Sequence, residues 1–594
     1  MNIKQRVTSL RTAMKAKGLS AYIIPSSDPH QSEYVADYWK CREWLSGFTG
    51  SAGSVVVTLD KAGLWTDSRY YLQGAEQMEG TGIDLFKDGL PETPSMQDWL
   101  KSELKTGATV GVDGANFSIS QIRNLQHSLG AANLDLSYDY DLFEDVWEGR
   151  TALPKEPVFE HEVKFTGQSR LERIDQIRSR MGDADGHLVT MLDDVAWTLN
   201  LRGSDVECNP VAITYLWVGK DSCFLFVDES KIDLALITEL SKNKIHIQSY
   251  ESIHEFLGEL PKYTKVLIDP NTLNAKLYDT LTKQCEIIKG KSIATELKAI
   301  KNTTEISHIR EAMCKDAVAL IRLFMWLGKE VETRGVPEVE VAAKLAAFRK
   351  MGSNYYGESF PAIVGFKGNG AIVHYRAMPD TCASVTNEGM LLLDSGGQYH
   401  NGTTDITRTV IFGEASAQQK RHFTQVLKGH IALAVQEFPE GTRGIQLDTL
   451  TRQFLWNDQL NFGHGTGHGV GYFLNVHEGP QGIGPNTAAR YLEPIKEGMF
   501  LSNEPGLYLT DEYGIRIENL VIAVESKKGN FGKFLKFDTL TLFPIEIDLM
   551  DVSILTPSEI NWLNAYHQEC WDKISPLLSD EKELAWLKGK CRGI

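Results

Sequence analysis

The segment from Gly463 to His477, GHGTGHGVGYFLNVH, has glycine at every second position from 463 to 471 and three histidines, His464, His468 and His477. A helix here would place Gly465 and Gly467 between two histidines four apart, at about 1 kcal/mol per interior glycine relative to alanine. The HExxH glutamate that accompanies helical zinc ligands is also missing. An extended chain fits better. It puts His464, Thr466, His468 and Val470 on one face and the glycines on the other. A bare glycine face implies the close approach of a neighbour. At about 3.3 Å per residue, His464 and His468 would stand up to roughly 13 Å apart, too far to share one ion in a straight strand. The expectation is therefore a division of labour, with one histidine on a metal and the others on substrate. Taken alone, the segment reads equally well as a glycine-rich surface loop.

The chain has 594 residues, enough for several domains. Its net charge of −17 argues against nucleic acid, whose phosphates need a basic footprint. Eight cysteines are scattered without a CxxC pair, which suggests a reducing compartment. The N-terminus is amphipathic without a signal-peptide apolar core, and no eighteen apolar residues run together. The expected setting is the cytoplasm, with no membrane partner.

The first two thirds of the chain contain a sparse repeat. RVTSLRTAMKAKGLSAYIIP and LERIDQIRSRMGDADGHLVTML each read as an amphipathic helix followed by a buried strand. A Trp and a Gly six apart follow in both, Trp44 with Gly50 and Trp197 with Gly203. The period, near 150 residues, indicates two similar α/β domains rather than a solenoid. Residues 151–163 read as the linker. A third region opens with a capping box, Asn302 and Glu305, ahead of a long amphipathic helix. Two further helices are expected near 416–437 and 446–459. The helical tail after about 550 holds Trp562, Trp571 and Trp586, read as core aromatics in preference to a subunit interface.

Four carboxylates in the third region sit in or at the end of apolar strands, where an acid is costly unless paired or bound to a cation. Asp394 follows MLLL. Asp405 follows eleven residues later, past the turn-like GGQYHNG, which predicts adjacent antiparallel strands. Glu504 ends GMFLSNE. In YGIRIENLVIAV, strand alternation puts Arg516 and Glu518 on one face. Singly, each acid reads more readily as a salt bridge or turn partner. Together with one glycine-flanked histidine they suit two divalent ions.

MLLLDSGGQYHNGTTDITRT, GHGTGHGVGYFLNVHEGP, FLSNEPGLY and YGIRIEN resemble the pita-bread metallopeptidases of family M24, which include methionine aminopeptidase, prolidase and aminopeptidase P. The order Asp, Asp, His, Glu, Glu matches the family's ligands. It implies Asp394, Asp405, His468, Glu504 and Glu518 as metal ligands, with Asp405 and Glu518 bridging. FPAIVGFKGNGAIVHYRA extends the resemblance and holds His374. With the duplicated N-terminal region, the chain resembles the three-domain Xaa-Pro aminopeptidases over nearly its whole length. The implied fold class is α/β (α+β): creatinase-like domains over 1–155 and 156–300, a pita-bread catalytic domain over 301–545, and a helical extension over 546–594.

The resemblance further implies hydrolysis of Xaa-Pro bonds at peptide N-termini by a hydroxide bridging two metal ions, taken as Mn2+, with Zn2+ or Co2+ as alternatives. Glu504 would take the proton of that hydroxide. His477 would hydrogen-bond the tetrahedral intermediate, His374 would assist positioning or proton transfer, and His464 would line the proline pocket. Phe360 aligns with an aromatic pocket position, and Arg516 is placed beside the carboxylates and counted with the substrate-binding residues. Arg69 is a weaker candidate for the downstream peptide. A homodimer is expected. The rival readings are an Xaa-Pro dipeptidase, a methionine aminopeptidase (disfavoured by the long N-terminal region) and a metal-free binding protein.

Overall fold

The computed structural model describes residues 1–594. Its contacts group into two compact units, Met1–His161 with Gln168–Glu296, and Glu162–Gly167 with Leu297–Ile594.

The first unit contains the repeat. One six-stranded sheet runs, in spatial order, Asp84–Lys87, Ala62–Thr66, Ser54–Thr58, Ala21–Ile24, Thr109–Gly111, Asp135–Ser137. The other runs Ile245–Ser249, Cys223–Val227, Tyr215–Gly219, Gly186–Val189, Lys265–Ile268, Glu286–Lys289. Strand order and strand directions correspond one for one. Each begins with a capped amphipathic helix. Asn2 and Gln5 form the capping box of Ile3–Ala16, which buries Val7, Leu10 and Met14. Ser169 and Glu172 do the same for Arg170–Arg180. Trp44 and Trp197 lie in corresponding helices, Cys41–Ser46 and Leu192–Leu199, each between the first and second strands of its sheet in chain order.

The second unit carries the carboxylates. Its long helix, Thr303–Glu330, starts at the predicted Asn302–Glu305 capping box. Helices Ala417–Ala434 and Gly444–Trp456 fall where expected. Three antiparallel strands, Ile363–Phe366, Gly389–Ser395 and Ile406–Phe412, form one sheet. A six-stranded sheet includes Asn519–Gly529, Phe500–Asn503, Gly467–Gly469 and Glu478–Ile483 as successive neighbours.

Two local expectations change. The residues between Asp394 and Asp405 are more than a turn: Gly397–Tyr399 and Gly402–Thr403 pair with each other and, through the former, with Tyr355–Glu358. YGIRIENLVIAV is two strands, not one. Tyr513–Arg516 pairs in a hairpin with Gly506–Leu509, while Asn519–Gly529 belongs to the six-stranded sheet, so Glu518 sits at the break. Glu162–Gly167 groups with the second unit. There the Phe165 carbonyl accepts from Tyr472 Oη at 2.8 Å and the Thr166 carbonyl from Asn302 Nδ2 at 2.9 Å.

The C-terminal helices Pro557–Ile574 and Glu581–Lys590 pack on the same core. Trp562 stacks on Tyr566 with centroids 5.4 Å apart, and Trp586 lies 6.1 Å from Phe543. Trp562, Trp571 and Trp586 are partly buried and pack against this core from its edge.

Candidate active site

Apolar strands deliver the acids. Met390–Leu393 are buried and carry Asp394 to the end of its strand, where it pairs in register with Thr407. Asp405 immediately precedes the neighbouring antiparallel strand. Glu504 follows Phe500–Asn503, and its N–H donates to the Thr466 carbonyl at 2.8 Å. Glu518 donates its N–H to the Thr407 carbonyl at 3.2 Å, which ties the strand break to the Asp405 strand.

The alternating glycines explain how His468 joins them. A Cβ on Gly467 would lie 2.0 Å from the Ser502 carbonyl oxygen, and one on Gly469 would lie 2.2 Å from that of Glu478. Only glycine lets this strand sit so close to both neighbours. The approach brings His468 Nε2 to 3.5 Å from Asp405 Oδ2 and 3.4 Å from Glu504 Oε1. Asp405, His468 and Glu518 offer ligand atoms that all lie within 4.8 Å of one another.

His468 Nδ1 is 2.9 Å from the Gly469 carbonyl and can only donate to it. In a neutral ring Nε2 is then a lone pair facing carboxylate oxygens, an arrangement that calls for a cation between them. Burial pushes the Asp405 and Glu518 carboxyls well above the usual range, and the neighbouring carboxylates add to it. Burial also raises Glu504, while His468 and Arg516 oppose the shift. Asp394 Oδ1 and Glu518 Oε1 are buried without a hydrogen-bond partner. Acceptor atoms left open, like charges crowded together and an oriented imidazole fit a site for hard divalent ions. The His468 and Glu504 side chains keep a small exposure, 14% and 17%.

Arg516 organises the carboxylates from beneath. Its side chain is buried and donates to Asp394 Oδ2 at 2.5 Å, Thr407 Oγ1 at 3.0 Å, Tyr508 Oη at 2.6 Å and the Val373 carbonyl at 3.4 Å. All three guanidinium nitrogens are thus engaged with protein acceptors, a positioning geometry rather than one that contacts substrate. Thr407 Oγ1 passes the connection on, donating to Glu518 Oε2 at 2.8 Å.

The other candidate residues stand around this cluster. His477 packs edge-on against His468, centroids 4.4 Å apart. His464 repeats the His468 geometry, with Nδ1 2.7 Å from the following Gly465 carbonyl, and its Nε2 is 2.8 Å from Tyr508 Oη. Thus one of the three histidines lies among the carboxylates, one packs on it, and one joins the Tyr508–Arg516 pair. His374 is half-buried, in a turn just past Val373, whose carbonyl Arg516 holds. Phe360 is buried shortly before Ile363, the register partner of Asp394. Thr407 and Tyr508 were not expected. Thr407 was legible, being two residues past Asp405 and hence on its face of the strand. Tyr508 reaches Arg516 only because a hairpin folds back.

Residues 307–525 match the model of metallopeptidase family M24, residues 6–141 and 149–305 match creatinase/prolidase N-terminal domains, and residues 533–594 match the C-terminal region of peptidase M24. A probable Xaa-Pro aminopeptidase P of Laccaria bicolor is 43% identical, over 100% of this chain and 94% of its own length. The crystal structure of an X-prolyl aminopeptidase from Caenorhabditis elegans, described as a cytosolic enzyme with a di-nuclear active site, superposes with a TM-score of 0.95 at 34% identity over 100% of both chains. An Xaa-Pro dipeptidase from Bacillus anthracis is 25% identical with a TM-score of 0.51 and covers 64% of this chain, against 99% of its own. The chain therefore belongs to metallopeptidase family M24, with a pita-bread catalytic fold preceded by two creatinase-like domains, as in the three-domain Xaa-Pro aminopeptidases.

Proposed function

We propose that this chain is a metal-dependent aminopeptidase that releases the first residue from peptides with proline in second position. The observation that carries this reading is the full-length similarity to Xaa-Pro aminopeptidases, including both N-terminal domains, against the 64% of the chain that the dipeptidase covers. The boundaries 1–155, 156–300, 301–545 and 546–594 are proposed as the working domains. Manganese is proposed as the metal, since carboxylate oxygens predominate in the donor set. The proposed setting is the cytosol, in keeping with eight free cysteines and with the description of the nematode enzyme. No helix is long and apolar enough to cross a membrane. A homodimer is proposed from the implied family resemblance.

Asp394, Asp405, His468, Glu504 and Glu518 would hold two divalent ions, which when bound acidify a water and polarise the carbonyl of the first residue. Glu504 takes the proton of the attacking water. Its Oε1 already accepts from Ser502 Oγ at 3.0 Å, so the proton is assigned to Oε2, from which it passes to the prolyl nitrogen. The acidic side of the cluster receives the free α-ammonium, which limits cleavage to the N-terminus. His477 donates a hydrogen bond to the oxyanion that develops. His374 orients the scissile bond. His464 and Phe360 shape a pocket for a ring that lacks an N–H. Arg516 positions Asp394 and Tyr508.

The test uses an Arg-Pro-Pro tripeptide and an Arg-Pro dipeptide, with protein stripped by chelator and reloaded with manganese. Release of Arg from the tripeptide with little dipeptide turnover is expected. Preference for the dipeptide would make the chain a prolidase. In the same assay Asp405→Ala should lose both tight metal loading and turnover, and normal activity of that variant would sink the two-metal site.

A further inference from the structure

Glu338 opens the helix Glu338–Lys350 and is fully buried. It does not cap its own helix, whose N-cap, Pro337, has no side-chain bond. Its carboxylate instead gathers donors from the loop that carries His374. The N–H groups of Phe366 and Ala383, which flank that loop, donate to it at 2.8 Å each. Within the loop, Asn369 Nδ2 lies 3.1 Å from both oxygens, and Tyr375 Oη donates to Oε2 at 2.8 Å. Asn369 Nδ2 also donates to Tyr375 Oη at 3.0 Å.

A buried carboxylate met by neutral donors is costly to desolvate. The N-terminus of its own helix and the donors of the loop offset that cost. An apolar residue would pack there at less risk, so the arrangement needs a reason. His374 supplies one. On one side of it Arg516 holds the Val373 carbonyl at 3.4 Å, and on the other Tyr375 is bonded to Glu338. His374 is thus bracketed by its two chain neighbours. One is fixed to the arginine that orients Asp394, the other to a carboxylate that also gathers both ends of the loop.

We propose that Glu338 is a positioning residue for His374, acting through Tyr375 and the two ends of the loop. The inference rests on the reading that His374 works at the scissile bond. It predicts that the Glu338–Tyr375 bond matters to turnover only while His374 is present.

A double-mutant cycle tests this on the full-length, manganese-loaded protein. Tyr375→Phe and Glu338→Gln are made in the parent and in His374→Ala, and kcat and KM are measured with Arg-Pro-Pro alongside metal content and melting temperature. Tyr375→Phe should lower kcat about tenfold with metal content unchanged. The lost bond to the buried carboxylate should lower the melting temperature equally in both backgrounds, whereas no further kcat should be lost in the His374→Ala background. Glu338→Gln should give a larger loss of the same kind, and Tyr375→Phe alone decides if it does not fold. Equal kcat losses in both backgrounds, or full kcat in Tyr375→Phe, would overturn the role of Glu338 while leaving that of His374 intact. Full turnover in His374→Ala would overturn both.

Discussion

Thr407 shows how much a single hydroxyl can carry in this site. It is fully buried, accepts from Arg516 Nε and donates to Glu518 Oε2. It therefore fixes which carboxylate oxygen of Glu518 is occupied and leaves Oε1 open. Outer partners of this kind change metal affinity by about 10- to 100-fold. Thr407→Val keeps the shape and removes the bond. Its manganese affinity, measured by competition with a chelator, should fall within that range, and an unchanged affinity would deny Thr407 this role. The stability cost should be about 1–3 kcal/mol, since the partner atoms are left unpaired. Asp405 and Glu518 announced themselves in the sequence as acids in apolar strands. Glu338 did not, because nothing in EVEVAAKLAAFRK separates it, fully buried, from the half-buried Glu340 two residues on.

At the scale of elements, the strand Gly467–Gly469 is the piece on which the site turns. It is three residues long and lies between Glu478–Ile483 and Phe500–Asn503. Its glycines set how near His468 comes to the acids. Gly467→Ala would drive a methyl into the Ser502 carbonyl, and only a backbone shift can relieve a contact of 2.0 Å. The shift would separate His468 from Glu504, whose N–H is held by Thr466. We expect Gly467→Ala to lose metal affinity and to melt several degrees lower, whereas Gly479→Ala, in a strand edge with nothing within 4 Å of the added carbon, should melt like the parent. Equal melting temperatures for both variants would remove the close-approach account. The break at Glu518 belongs to this scale too. Alternation alone ran the strand straight through, and it is the hairpin Gly506–Leu509 with Tyr513–Arg516 that turns the chain.

For the whole molecule, pH exposes how the C-terminal extension is joined to the catalytic core. His567, in the helix Pro557–Ile574, is buried and accepts from the Ile545 N–H at 3.1 Å. Burial pulls its pKa from 6.5 down to about 4, with Arg408 adding to the shift. His430, on Ala417–Ala434, falls to about 3 for the same two reasons. The unfolded chain therefore binds protons from pH 6.5 downward that the folded chain refuses. Stability contributed by the neutral rings is complete above 6.5 and is lost as pH falls towards about 4 for His567. The raised carboxyls of the ion-free cluster act with the opposite sign, so a single melting curve mixes the two. His567→Gln isolates the histidine. In metal-free protein its melting temperature should fall less steeply than that of the parent between pH 6.5 and 4, and parallel slopes would refute the assignment.

The sequence by itself determined the class of chemistry and the order of the parts. Acids ending apolar runs, a histidine among alternating glycines and a repeated helix–strand pattern are local statements, and hydrophobic periodicity and the cost of burying charge make them readable one segment at a time. Tertiary structure decided what no segment contains. It joined Glu162–Gly167 to the catalytic unit, broke the strand at Glu518, engaged the guanidinium of Arg516 with four protein acceptors, and placed Glu338 under the His374 loop. Those are pairings between residues far apart in the chain. Their energy depends on which buried donor meets which buried acceptor, and that is fixed only when the strands and helices have packed.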